Sequence, residues 1–184
     1  MTDENLPDTI KIHRVGAPEY VSFKLIIISD SRYKELKEKG IVTSDKTVEV
    51  VKDLILNKGH KFEGVIYVPD EINQIRKEII NIVFSRSEKV DVIITSGGTG
   101  ITSRDVTIEA VKPLFQKELP GFSILFHSLS YTDVGAATII SRTTAGVVNR
   151  KIIFCLPGSP KAVKLALEKI ILPEIKMLIK HANE

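Results

Sequence analysis

Four short apolar runs in this chain each stop in residues that suit an anion or a metal ion better than they suit a strand. Phe23–Ile28 runs into Ser29-Asp30-Ser31, and Gly64–Val68 into Pro69-Asp70. Val90–Thr95 runs into Ser96-Gly97-Gly98-Thr99-Gly100, and Lys151–Leu156 into Pro157-Gly158-Ser159-Pro160. The glycine loop is the sharpest of the four. Glycines reach left-handed backbone conformations and let N–H groups approach an anion with no Cβ in the way. It is not a Walker loop, because no Gly-Lys-Ser/Thr follows. Nor is it the dinucleotide fingerprint, because Ser103 stands where the last glycine belongs. Thr107 reads as the N-cap of the next helix, with Glu109 in its first turn. Ser159 reads as another N-cap, with Pro160 at the first helical position and N–H groups open to a phosphate. Lys161 would assist if it points inward.

Two carboxylates stand beside these loops. Asp70 could simply cap a helix beginning near Glu71, and Asp105 could cap the next helix or pair with Arg104. Taken together, and with Asp30 as a third ligand, they suit a hydrated Mg²⁺ bridging substrate phosphates. Arg142 reads as a phosphate clamp or as half of a surface ion pair. Ser128 and Ser141 carry no signal by themselves.

The elements that must position these residues alternate. The four runs are β-branched and apolar on both faces, as strands buried from both sides are. Between them lie segments of helical period. Val48, Val51, Leu54 and Ile55 share one face, and Ile72, Ile75, Ile79, Ile82 and Val83 share another. A last helix carries Val163, Leu165, Ala166, Leu167, Ile170 and Ile171, with an interruption near Pro173. Phe122, Leu125, Phe126 and Leu129 predict a short helix. Ala145–Val148, a turn at Asn149-Arg150 and Lys151–Leu156 predict a hairpin. The expected fold is α/β, a three-layer αβα arrangement with a mainly parallel sheet and one antiparallel element. In such a sheet the carboxyl ends of the strands form the binding crevice. Residues 1–19 lack periodicity and are expected to be a flexible N-terminal tail, with residues 20–184 a single domain.

Composition narrows the function. The chain has 184 residues, 43% of them hydrophobic and 27% charged, with 11 Gly and 8 Pro, which excludes a collagen or a disordered chain. The net charge of +3 is too small for the basic face of a nucleic-acid binder, and the absence of Trp leaves little for base stacking. The single cysteine, Cys155, lies in an apolar run and reads as a buried small hydrophobe. The histidines lack the spacing of a zinc site. Met1–Asn5 is acidic and polar, unlike a secretory leader, and no apolar run approaches the roughly 20 residues of a membrane span. A cytoplasmic protein without membrane or nucleic-acid partners is expected.

The motifs also resemble a known family. Thr95-Ser96-Gly97-Gly98-Thr99-Gly100 followed by Arg104-Asp105-Val106-Thr107-Ile108-Glu109-Ala110 is similar to the signature of the MoaB/Mog family of molybdenum cofactor biosynthesis proteins, relatives of the gephyrin G domain. Val68-Pro69-Asp70-Glu71, Leu119-Pro120-Gly121, Ile140-Ser141-Arg142, Ala145-Gly146-Val147 and Leu156–Val163 match in the same order. The resemblance runs from about Ser22 to the C-terminus.

It implies a three-layer α/β protein that forms a homo-oligomer, a trimer or a hexamer. Active members adenylylate molybdopterin with Mg-ATP and release pyrophosphate, and molybdate or tungstate enters in a later step. The resemblance places the catalytic, Mg²⁺-holding aspartates at Asp70 and Asp105. It places molybdopterin and nucleotide contacts at Ser29, Asp30, Gly97, Gly98, Thr99, Gly100, Ser128, Ser141, Gly158 and Ser159. A molybdenum-insertion protein is an implied hand-over partner; residues 1–19, outside the resemblance, are expected to form a contact between trimers. Two departures stand out. Asp45-Lys46-Thr47-Val48 replaces the family's Asp-x-Ser-Gly, so a loop that helps to close the site differs. Ile108 replaces a proline at little cost. The alternatives to an adenylyltransferase are a non-catalytic molybdopterin-binding or assembly protein and, more distantly, a nucleotide hydrolase like the competence-damage proteins.

Overall fold

A computed structural model describes residues 16–43, 45–85, 87 and 89–184. The expected tail therefore lies largely outside the described residues. The chain runs β1 (Ser22–Ile28), α1 (Asp30–Lys39), α2 (Lys46–Asn57), β2 (Lys61–Val68), α3 (Ile72–Phe84), β3 (Val92–Ser96) and α4 (Thr107–Val111). A 3₁₀ turn (Lys112–Leu114), β4 (Lys117–Glu118), α5 (Pro120–Val134), a 3₁₀ segment (Gly135–Ile140), β5 (Thr144–Val148) and β6 (Lys151–Leu156) follow. The chain closes with α6 (Pro160–Ala166), a π turn (Leu167–Ile171) and α7 (Leu172–Asn183).

The six strands form one sheet in the order β2-β1-β3-β6-β5-β4. β2, β1, β3 and β6 are parallel, whereas β5 pairs antiparallel with both β6 and β4. Alternate strand residues face opposite layers, which explains the unbroken apolar runs. Phe23, Leu25, Ile94 and Phe154 pack with Val51, Phe126, Val163 and Ile175 on one side. Ile26, Ile28, Ile93, Ile153 and Cys155 pack with Ile75 and Ile79 on the other. Cys155 is fully buried, and burial pushes its thiol up to about 12. No helix among the described residues is long and apolar enough to cross a membrane.

The expected hairpin is present. Asn149 and Arg150 both take positive φ, 48° and 64°, as a two-residue turn of the mirror-image type requires. Asn149 is held by its N–H to Gln116 Oε1 at 2.7 Å and its side-chain amide to the Val83 carbonyl at 3.3 Å.

Other elements differ from expectation. α1 buries no residue, so it has no apolar period to read. It is held by the Ser29 cap, by a left-handed Gly40 at its end and by ion pairs such as Arg32–Glu35 and Lys39–Glu35. α5 extends to 15 residues and buries Phe122, Phe126 and Ser130 one turn apart, leaving Leu125 53% exposed. The expected interruption near Pro173 is present: a π turn at Leu167–Ile171 separates α6 from α7, and Pro173 lies in the first turn of α7, where its missing N–H costs little.

Candidate functional site

The carboxyl ends of β1, β2, β3 and β6 meet and are laced together. Ser29 N donates to the Val68 carbonyl at 2.9 Å, and Gly97 N to the Leu156 carbonyl at 3.1 Å. Ser96 Oγ donates to the Pro157 carbonyl at 3.1 Å, and Asp70 N to Asp30 Oδ1 at 3.0 Å. Asp30 is thus the tie between two strand ends as well as a carboxylate facing Asp70.

Two glycines make room for the two candidate catalytic acids. Gly98 has a φ of 60°, and a Cβ there would lie 2.6 Å from Asp70 Oδ1 and 2.5 Å from Thr107 Oγ1. A Cβ on Gly100 would lie 2.8 Å from Asp105 Oδ2. The carboxylates therefore lie directly against the loop backbone, and a Cβ at either glycine would require them to shift.

Their environments differ. Asp70 does not cap α3, whose N-cap is Glu71 with no side-chain bond. Partial burial, then the negative charges of Asp30 and Asp105, push the Asp70 carboxyl above its ordinary value. Asp105 caps nothing either. Its Oδ2 accepts from Thr102 Oγ1 at 2.7 Å and Thr102 N at 2.9 Å. The Thr102 hydroxyl first, then the Thr102 and Gly100 amides and the Arg142 charge, hold the Asp105 carboxyl below its ordinary value. Arg104 acts on Asp70, whose carboxyl it lowers slightly. Two neighbouring acids pushed in opposite directions can take different roles in one reaction.

Thr107 corrects another expectation. Val106 is the N-cap of α4 and makes no side-chain bond, and Thr107 is the first helical residue, fully buried. Its hydroxyl donates to the Gly97 carbonyl at 2.8 Å and its N–H to the Gly98 carbonyl at 2.9 Å. The hydroxyl faces backwards into the loop rather than along the helix. Arg142 is neither of the alternatives expected for it alone. It pairs with Glu109, but its guanidinium also reaches the carbonyls of Thr99, Gly100 and Asp105.

Two cavities meet at Gly158. One, of about 410 Å³, is lined by Ser29, Arg32, Asp45, Lys46, Thr47, Ser96 and Gly97. The other, of about 360 Å³, is lined by Phe126, Ser130, Val134, Ser141, Ser159 and Leu165. Ser159 caps α6 as expected, accepting from Ala162 N at 3.1 Å. Lys161 lines the second cavity, paired with Asp133 at 3.5 Å. Ser141 lines it too, whereas Ser128 is exposed on α5 and Ser130 faces the cavity in its place. Thr99 is buried in the glycine loop. A larger cavity, about 750 Å³, lies at the opposite edge of the sheet among Lys24, Lys61, Asp91 and Lys151, away from the strand ends described above.

Arg32 and Ser130 were not singled out in the sequence, and Lys46 and Thr47 only as part of the departing loop at Asp45. Arg32, Lys46 and Thr47 are brought in by α1 and α2. The departure at Asp45 also becomes clear, because its carboxylate caps α2, accepting from Thr47 N at 2.9 Å and Val48 N at 3.4 Å. Thr47 then donates to the Gly158 carbonyl at 3.4 Å. Among the described residues no group of three or more His, Cys, Asp or Glu side chains is arranged to hold a metal by itself.

Comparison with known proteins gives the family and agrees with the fold. Residues 24–177 match the family model described as "Probable molybdopterin binding domain". Molybdenum cofactor biosynthesis protein B of Bacillus subtilis is 39% identical over 177 residues, 96% of this chain and 98% of that protein. A crystal structure of a molybdenum cofactor biosynthesis protein B superposes with a TM-score of 0.78 at 39% identity, covering 91% of this chain and 98% of the other. The tungsten cofactor synthesizing protein MoaB from Pyrococcus furiosus superposes with a TM-score of 0.74 at 39% identity, covering 91% of this chain and all of that one. With a family-model match over residues 24–177, a relative 39% identical across nearly the whole chain and a solved structure that superposes over most of its length, the chain belongs to this molybdopterin-binding, MoaB/Mog family.

Proposed function

We propose that the protein acts in molybdenum or tungsten cofactor biosynthesis by adenylylating molybdopterin with Mg-ATP. The observation that carries the reading is the pair of oppositely perturbed aspartates, Asp70 and Asp105, seated against one glycine loop where four strands end. A terminal phosphate oxygen of molybdopterin attacks the α-phosphorus of ATP. The new P–O bond forms as the bond between the α-phosphorus and its bridging oxygen breaks, and pyrophosphate leaves. The two cavities that share Gly158 offer separate room for the two substrates, and Asp105 lines another, of about 380 Å³, with Thr102, Glu109 and Arg142. The glycine loop binds phosphoryl oxygens, and alignment with charge stabilisation supplies the acceleration.

Asp70 and Asp105 would offer hard oxygen donors to Mg²⁺, a cation that keeps several waters and shares substrate phosphates; Asp30, expected as a third ligand, instead accepts from the Asp70 N–H and does not complete a three-carboxylate group. When bound, it neutralises charge developing on those phosphates. Turnover with molybdopterin, ATP and Mg²⁺ tests the reading. Asp70→Asn and Asp105→Asn are expected to abolish product while circular dichroism and the unfolding midpoint stay near wild type. Full activity in both variants removes these residues from the mechanism.

A second reading, a non-catalytic molybdopterin-binding or assembly protein, is favoured by one observation. Asp45, in the loop that departs from the family, spends its carboxylate on capping α2. Tight molybdopterin binding without ATP turnover would support it. Under either reading we expect a homo-oligomer. Ile124, Tyr131, Val134, Ile139 and Ile140 on α5 and the following 3₁₀ segment are all more than half exposed, an apolar strip suited to a second copy. Light scattering should give a trimer or hexamer mass, and a monomer mass would remove this expectation.

A further inference from the structure

Every carbonyl of the glycine loop is engaged from behind. Thr107 takes the Gly97 and Gly98 carbonyls at 2.8 and 2.9 Å. Arg142 Nε takes the Thr99 and Gly100 carbonyls at 3.1 and 2.8 Å, and Nη2 takes the Asp105 carbonyl at 3.1 Å. In a trans peptide the N–H points opposite to the C=O. Fixing four successive carbonyls therefore fixes the four following N–H groups, of which that of Gly100 is turned to the Asp105 carboxylate. Arg142 belongs to the segment after α5, some 40 residues along the chain from the loop it holds. It is itself held by Glu109 on α4, through Nη1 to Oε1 and through Nη2 to Oε2 at 3.2 Å.

We infer that Arg142 is the positioning residue of this site: its planar guanidinium orients the glycine-loop peptides and the Asp105 backbone, while Glu109 holds that fork in place. The inference deepens the adenylyl-transfer reading and rests on it for its effect on turnover. The fork geometry matters because three carbonyls and a carboxylate need several donors in one plane. A lysine offers only a compact point charge. The carboxylate of Glu109 takes one Nη1 hydrogen and one on Nη2, so four of the five guanidinium N–H groups are spent on the loop and on Glu109.

The test is amide hydrogen exchange together with kinetics. The Thr102, Asp105 and Thr107 amides donate to Asp105 Oδ2, the Thr102 carbonyl and the Gly98 carbonyl, so their protection reports the loop. The β3 amides serve as the control. Arg142→Ala is expected to lose protection at these three amides and not in β3. Its kcat/KM should fall about 10²-fold, mostly in kcat, as a small misplacement of aligned groups does. Added guanidinium should restore part of both. Arg142→Lys should fail to restore loop protection, and Glu109→Gln should show a smaller loss of both.

Unchanged loop protection in Arg142→Ala, with weakened binding of inorganic pyrophosphate, would overturn the inference in favour of a direct phosphate contact. Wild-type behaviour in Arg142→Lys would overturn it in favour of a point charge. If Arg142→Ala loses β3 protection as well, the Lys and Gln variants decide. If the wild type gives no adenylylated product, the reaction fails as proposed, and the exchange data still decide whether Arg142 positions the loop.

Discussion

The loops after β3 and β6 both leave a buried parallel strand, and both lead to a helix, yet they are held by different means. In the β6 loop the helix start is local, with Ser159 capping the Ala162 N–H and Pro160 opening the helix, while Ser96 and Thr47 each take one loop carbonyl, Pro157 and Gly158, from a distance. In the β3 loop the support comes from a distance. Thr107, ten residues on from Gly97, and Arg142, more than forty on from Thr99 and Gly100, tie down the carbonyls. A locally capped loop needs only a helix start. A loop that must present several N–H groups and two carboxylates in one geometry needs its peptide planes fixed from outside.

That comparison can be broken at several points. The largest effect is expected at Asp105, the acid most firmly held in the β3 loop. Asp105→Asn should lower turnover by at least about 10²–10³-fold, the scale of removing one preorganised electrostatic group, with little change in unfolding midpoint. Next comes Gly98→Ala, which places a methyl group against Asp70 Oδ1 in a left-handed conformation. It should cost about 1–3 kcal/mol of stability in urea unfolding and move Asp70, so turnover should fall as well. Equal stability to wild type would show that the loop relaxes freely, and the contrast between the two loops would lose its basis. The smallest effect is expected at the locally supported loop. Ser159→Ala should cost about 1 kcal/mol, the ordinary loss of a helix cap, measured by the same urea titration.

The same division explains what could be read from the sequence. The Ser159 cap, the Asn149-Arg150 turn and the apolar strands were legible because each depends on neighbours in the chain or on a simple period. The strand-end loops, and with them Asp70, Asp105 and Gly97–Gly100, followed from where those strands stop. α1 was not legible, because none of its residues is buried and it leaves no periodic trace. Leu125 helped to mark a short helix, but the helix is 15 residues long and Phe122, Phe126 and Ser130 form its buried face, with Leu125 exposed. Thr107 suggested a cap because threonine favours that position, and only the packed loop shows its hydroxyl donating backwards. The partners of Arg142 lie 33 to 43 positions away, beyond anything that spacing alone reveals. Ser128 and Ser141 came from resemblance, and the fold brings only Ser141, with Ser130, to the second cavity.

The most direct test of the central claim is a single-turnover assay of the purified protein with molybdopterin, ATP and Mg²⁺, scoring adenylylated molybdopterin, with Asp105→Asn beside it. Product from the wild type alone is the predicted result and would place Asp105 in the reaction. Molybdopterin bound tightly by the wild type, with no adenylylated product, would contradict the account and assign the protein to the binding class.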